Sequence, residues 1–160
     1  MLNVTVLCVG KLKEAYWRDA CAEYAKRLSA FCRFQIVELE EARLPEKASA
    51  AQIEAALSAE GKQMLAKIPS GAAVVALCIE GKTCSSPELS QQLEGFAVGG
   101  SSHIVFCIGS SYGLSPEVKT RADRRLSMSP MTFPHQLARV MLCEQIYRAM
   151  QISHGGKYHK

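Results

Sequence analysis

No two cysteines in this 160-residue chain are spaced C-x-x-C, and no Cys/His pair has zinc-ligand spacing. That excludes the common structural zinc modules and predicts no metal. The seven cysteines are Cys8, Cys21, Cys32, Cys78, Cys84, Cys107 and Cys143, an odd number that cannot close into a complete disulfide framework. Cys8, Cys78 and Cys107 lie inside apolar runs, where a thiol behaves as a small hydrophobe. The expectation is free thiols in a reducing, cytoplasmic setting. No apolar stretch approaches the ~20 residues of a membrane span. The run from Met1 to Lys11 is too short for a signal peptide and lacks its basic start, so no membrane partner is expected. Internal repeats, low-complexity tracts and interdomain linkers are also missing. No Lys-Ser/Thr pair closes the glycine turn at 109–113 as a P-loop requires, and no G-x-G-x-x-G follows the first apolar run.

What is present is a folded composition. Apolar residues make up 48% and charged residues 21%, far from the profile of a disordered chain. The length predicts a single domain over 1–160, able to bury a core without disulfide or metal staples. The net charge of +4 is mild but unevenly placed. Residues 121–160 carry seven basic and two acidic side chains, a net +5, whereas residues 1–120 are at −1. Such asymmetry fits an anionic partner at the C-terminal quarter, or simply a basic solvated face.

The pattern along the chain alternates. Leu2–Val9 is β-branched and apolar and ends at Gly10, which predicts a strand. Tyr16, Ala20, Tyr24 and Leu28 recur at helical spacing. Phe34–Leu39 reads as a second strand, and the Ala/Glu/Gln/Leu-rich stretch 47–68 as a long helix. Ala72–Ile79 is continuously apolar, as in a buried parallel strand. Ser86-Pro87-Glu88 predicts a helix capped by Ser86 and running to about Phe96. His103–Ile108 follows as a strand, Ser115-Pro116-Glu117 opens a short helix, and Arg125–Met128 reads as a short fifth strand. A final helix runs from Pro134 to about Ser153, followed by a polar tail. Strict alternation predicts an α/β fold with a mostly parallel sheet and helices on both faces. Residues 40–47 are the one charged, proline-containing stretch long enough for a mobile loop.

In such sheets ligands bind beyond the carboxyl ends of the strands. Three ends stand out: 77–81, 108–113 and 128–133. Gly109-Ser110-Ser111-Tyr112-Gly113 is either a ligand-cradling loop or a tight turn that needs a positive φ. Ser127–Gln136 is too apolar for a solvated loop and too rich in Pro and Ser for a strand. It could wrap an adenine or lie buried beneath the last helix. His135 opens that helix, where an imidazole can serve as base or acceptor, or merely sit at the surface. The helix itself is apolar on more than one face, from Leu137 to Ile152, which suggests burial by the sheet and by a second subunit. Glu144 and Arg148 are spaced for an i,i+4 ion pair.

Three stretches together resemble the ribosomal RNA large subunit methyltransferase H family of the SPOUT class. They are Val9-Gly10-Lys11-Leu12-Lys13 with Tyr16-Trp17, then Ile108–Leu114, then Met131-Thr132-Phe133-Pro134-His135-Gln136 running through Glu144–Ala149 to Tyr158-His159-Lys160. The third is the specific one. The resemblance implies an α/β sheet with a C-terminal trefoil knot, a homodimer, and S-adenosylmethionine as cofactor. It implies methylation of N3 of a pseudouridine in 23S ribosomal RNA, in the ribosome. Carried onto this chain, the cofactor contacts fall on Leu77, Gly109, Met128, Ser129, Pro130, Met131, Thr132 and Phe133. His135 or His159 would remove the proton, Arg139 and Tyr158 would help place the uracil, and Arg148 and Lys160 would bind RNA. The chain departs from the common family pattern at Ser110, often glycine, and at Pro130, often basic. The alternatives are a SPOUT enzyme with another RNA target, or a non-catalytic module that binds an adenine ligand.

Overall fold

The computed structural model describes all residues 1–160. Five strands alternate with five helices: β1 Asn3–Val9, α1 Ala15–Leu28, β2 Arg33–Leu39, α2 Ala50–Lys67, β3 Ala73–Lys82, α3 Ser86–Val98, β4 His103–Ile108, α4 Pro116–Arg121, β5 Arg124–Leu126 and α5 His135–Ser153. The strands form one sheet in the order β2-β1-β4-β3-β5, and every pairing is parallel. Val6 stands between Ile36 and Phe106 in register.

Side chains alternate across each strand and feed two cores. Val4, Val6 and Cys8 join Ile104 and Phe106 against α1, α3 and α5, where Leu28, Leu93 and Ile146 complete the layer. Leu7, Val74, Val105 and Cys107 point the other way, onto Met64 of α2 and Val118 of α4. Phe106 is fully buried, and burying a side chain of that size contributes about 1.5–3 kcal/mol. Helices therefore cover both faces, as the alternation predicts.

The termini of the elements follow local chemistry, with corrections. α2 starts at a capping box made by Ser49 and Gln52, later than the expected residue 47. α3 is capped by Ser85, not Ser86. Ser85 is three residues before Glu88, so hydroxyl and carboxylate satisfy each other's backbone amides in a capping box. The expected buried run 72–79 is buried only through Ala76. Beyond it β3 continues to Lys82 and leaves the core, and Ile79 is 81% exposed. The loop over 40–47 is tied at one point, where the Ala42 amide donates to Glu60 of α2 at 3.0 Å.

In a parallel sheet every strand delivers its carboxyl end to the same side. β3, β4 and β5 are neighbours, so the segments that follow them meet. No helix is long and apolar enough to cross a membrane, and no cluster of three His, Cys, Asp or Glu could hold a metal ion. All seven cysteines are free.

Candidate active site at the carboxyl ends of three strands

Three loops close around a cavity of about 600 Å³. β3 contributes Leu77 to Glu80, the turn after β4 contributes Gly109 to Gly113, and the chain after β5 contributes residues from Leu126 to His135. Of the expected cofactor contacts, Leu77, Gly109, Met128, Ser129, Met131, Thr132 and Phe133 all line it, and so does His135. Pro130 is not among the lining residues. The Ser127 hydroxyl donates to the Ser129 carbonyl, and the Met131 amide donates to the Ser129 hydroxyl. These bonds form a tight local turn that leaves Pro130 exposed outside the wall.

The turn after β4 is built to keep backbone close to the cavity. The Gly113 amide donates to the Ser110 carbonyl at 2.8 Å, and Gly113 takes φ +86°, a conformation that favours glycine. Gly109 is restricted for a different reason: a Cβ there would overlap the Gly113 carbonyl group. Ser110, the departure from the family pattern, turns its side chain inward. It is 9% exposed, and its hydroxyl accepts from the Tyr112 amide at 3.4 Å. Burial pushes the Glu60 carboxyl above its usual range, against the opposing pull of the Ala42 amide and the Ser110 hydroxyl. Ser110 also lines the cavity, so its side chain is accommodated at the wall. Glu60 was not distinguishable in the sequence, because one acid in an Ala/Glu/Gln-rich helix carries no signal.

Arg139 is placed differently from the sequence expectation. It is 2% exposed, its Nη1 donates to Glu38 at 2.7 Å and its Nη2 to the Gly10 carbonyl at 3.1 Å. A guanidinium held this way ties α5 to the ends of β1 and β2 and does not present itself to a phosphate or a uracil. The Nε is buried without a partner, so the fork is only partly satisfied.

The tail forms a second cluster on α5. Tyr158 packs edge-on against Tyr147 with ring centroids 4.8 Å apart and donates its hydroxyl to Glu144 at 2.9 Å. Arg148 donates to the same carboxylate at 2.7 Å, and its guanidinium lies 4.7 Å from the Tyr158 ring centroid. His159 Nδ1 stands 3.1 Å from Arg148. Burial and the adjacent carboxylate push the Tyr158 phenol up to about 12. Lys160 is exposed at the end. Glu144 is the hub of this cluster; its i,i+4 pair with Arg148 was legible in the sequence, its bond to Tyr158 was not.

The two clusters do not share one cavity within the chain. Glu144 lines a neighbouring cavity of about 460 Å³ between α1, α3 and α5. The two spaces share Leu126, Ser127 and Met128 as a common wall.

A parallel sheet whose last three strand ends converge on one ligand-sized cavity is an α/β ligand-binding architecture, consistent with the SPOUT class of methyltransferases. Residues 2–159 match the family described as "Predicted SPOUT methyltransferase". The chain is 50% identical to Ribosomal RNA large subunit methyltransferase H of Ligilactobacillus salivarius, over 99% of this chain and 100% of the relative. It is 47% identical to the protein of the same name from Clostridioides difficile and 47% identical to that from Streptococcus thermophilus, each over 99% of this chain and 100% of the relative. The chain belongs to the ribosomal RNA large subunit methyltransferase H family, and it is a methyltransferase.

Proposed function

We propose that this protein methylates N3 of a pseudouridine in 23S ribosomal RNA within the assembled ribosome, in the cytoplasm, using S-adenosylmethionine. The observation that carries this reading is the convergence of Leu77, Gly109 and residues 128–133 on one cavity. The cavity suits an adenosyl cofactor. It offers apolar walls from Leu77, Met128 and Phe133, backbone polar groups from two loops, and a tight turn that Gly109 closes by packing without a Cβ against the Gly113 carbonyl. α5 opens without a side-chain cap, so its first amides are open to an anionic group.

S-adenosylmethionine supplies, when bound, a methyl group already activated by its sulfonium. The residues of this chain then orient the donor, bind the RNA and remove one proton. An imide nitrogen is a weak acid, so its proton must pass to a base as the new N–C bond forms. His135 at the cavity wall and His159 on the tail are the candidate acceptors. Arg148 and Lys160 hold RNA phosphates, and Tyr158 places the uracil ring. Glu144 fixes both Arg148 and Tyr158 in that task. The tail lies on its own α5 in this chain, beside the smaller cavity that adjoins the cofactor wall.

The whole of 1–160 acts as one domain in this proposal, its C-terminal part threaded as a trefoil knot and two copies paired as a homodimer. Part of the apolar surface of α5 is consumed within the chain, since Leu142, Cys143 and Ile146 are fully buried. Leu137, Val140 and Met141 remain half-exposed and support pairing with a second copy. A composite site follows if the tail of one copy reaches the cofactor cavity of the other. Calorimetry with S-adenosylmethionine and with ATP tests the cofactor: binding of S-adenosylmethionine is expected, and binding of ATP alone would overturn the proposal.

A further inference from the structure

A third depression adjoins the site on the open edge of the sheet. It measures about 1010 Å³ and runs between the outer end of β3, one face of α3 and β5. β5 is the edge strand, and Leu126 at its end lines both this groove and the cofactor cavity. The groove is polar, with Lys82, Arg124 and Arg125 facing Gln91, Gln92 and Phe96 across it.

Formal charge hides the character of this surface. Three acids also line it, but each is already engaged. Glu80 is bound by Lys119 at 2.6 Å, Glu88 closes the α3 capping box at 2.6 Å, and Asp123 accepts from the Val74 amide at 2.8 Å. The three cations have no carboxylate within ion-pair distance. Arg124 donates one bond to the Asp123 carbonyl, and Arg125 one to the Lys119 carbonyl. Both keep further N–H groups unused. The Arg124 guanidinium also lies 5.8 Å from the Phe96 ring centroid. A planar cation beside an aromatic ring is a surface on which bases of single-stranded RNA stack. Gln91 and Gln92 add amides able to pair with base edges or 2′-hydroxyls.

The groove also has the right position. From Arg124 to Met128 is four residues, no more than about 14 Å even fully extended. A strand lying along β5 would therefore run directly from these cations to the wall of the cofactor cavity. The β3–β5 crossing beneath it is tight: a Cβ on Gly81 would come within 2.7 Å of the Leu126 backbone. The groove floor is thus fixed by packed backbone.

We propose that this groove grips the RNA strand flanking the modified nucleotide, with Lys82, Arg124 and Arg125 on its phosphates and Phe96 with Arg124 stacking a base. The proposal rests on the ribosomal RNA reading above. It explains why Arg124 and Arg125 belong to the basic C-terminal quarter although neither touches the cofactor cavity.

The test compares wild type with a Lys82→Gln/Arg124→Gln/Arg125→Gln variant. Binding to protein-free 23S RNA and to large ribosomal subunits is measured across a salt series, alongside S-adenosylmethionine affinity and thermal melting. The expected result is at least about tenfold weaker RNA binding and a log–log salt slope shallower by about 2, with cofactor affinity and melting unchanged. A second variant, Phe96→Leu, keeps an apolar side chain; about fivefold weaker binding with an unchanged slope is expected. RNA binding within twofold of wild type and an equal slope in the triple variant would overturn the groove. If wild type binds RNA but transfers no methyl group, the function reading fails, and the variant comparison still decides the groove.

Discussion

Gly109 stands where the cavity wall has no room for a side chain. Its Cβ-free surface is set by the Gly113 carbonyl, so Gly109→Ala must open the turn between them. S-adenosylmethionine affinity is expected to fall by at least about tenfold, with the fold intact by circular dichroism. Arg139 is a residue whose type suggests an exposed cation and whose side chain is instead buried against Glu38 and the Gly10 carbonyl. Nothing local distinguishes an outward arginine on a helix from one turned onto Glu38, which is 101 positions away in the chain. Removing one partner of a buried ion pair costs about 3–5 kcal/mol. Glu38 keeps 35% of its side chain exposed, so Arg139→Ala is expected to lower stability by about 3 kcal/mol in urea unfolding, at the bottom of that range. Arg139→Lys should recover part of this, because it keeps the charge and loses the fork.

At the level of elements, hydrophobic period and capping chemistry made the ten segments readable. β4 is placed as expected, and α4 follows the Ser115 cap. The outer half of β3 was misjudged because Leu77, Cys78 and Ile79 are as apolar as the residues before them; their role as cavity wall depends on the neighbouring strand ending sooner. The tail carries no local signal, since Tyr158-His159-Lys160 has no periodicity and its order comes from Glu144, Arg148 and Tyr147. Tyr158→Phe keeps the ring against Tyr147 and removes only the hydroxyl. Methyl transfer to ribosomes is expected to slow by about tenfold or more through kcat, with S-adenosylmethionine affinity unchanged. The Tyr158 phenol, held up near 12 by burial and Glu144, stays protonated and donating through neutral and mildly alkaline pH. Raised above the usual phenol value, it favours folding of the protonated form. That contribution is fully present below the ordinary phenol pKa near 10 and is lost as pH rises through about 12. No loss of activity traceable to this group is therefore expected below about pH 10.

For the whole molecule, the alternation of strands and helices gave the class, a parallel sheet covered on both faces. The order β2-β1-β4-β3-β5 was not legible, because strand order depends on which long-range pairings bury most surface and not on any local pattern. That order is what brings β3, β4 and β5 together and creates the cavity. It also sets β5 at the edge, where the basic groove lies open beside the cofactor wall. The half-exposed Leu137, Val140 and Met141 on α5 lead to an association prediction. Sedimentation equilibrium is expected to give twice the chain mass of 17.5 kDa, and Val140→Glu should shift the protein toward monomer. A monomer at micromolar concentration would remove the composite site.

The central claim is transfer of a methyl group to one ribosomal base. Large ribosomal subunits from cells lacking this protein can be incubated with it and methyl-labelled S-adenosylmethionine, and the 23S RNA digested and analysed by mass spectrometry. The expected result is one labelled fragment bearing a single methyl group on a pseudouridine, present with wild type and absent with Gly109→Ala. Label on another base, or no label in 23S RNA at all, would contradict it.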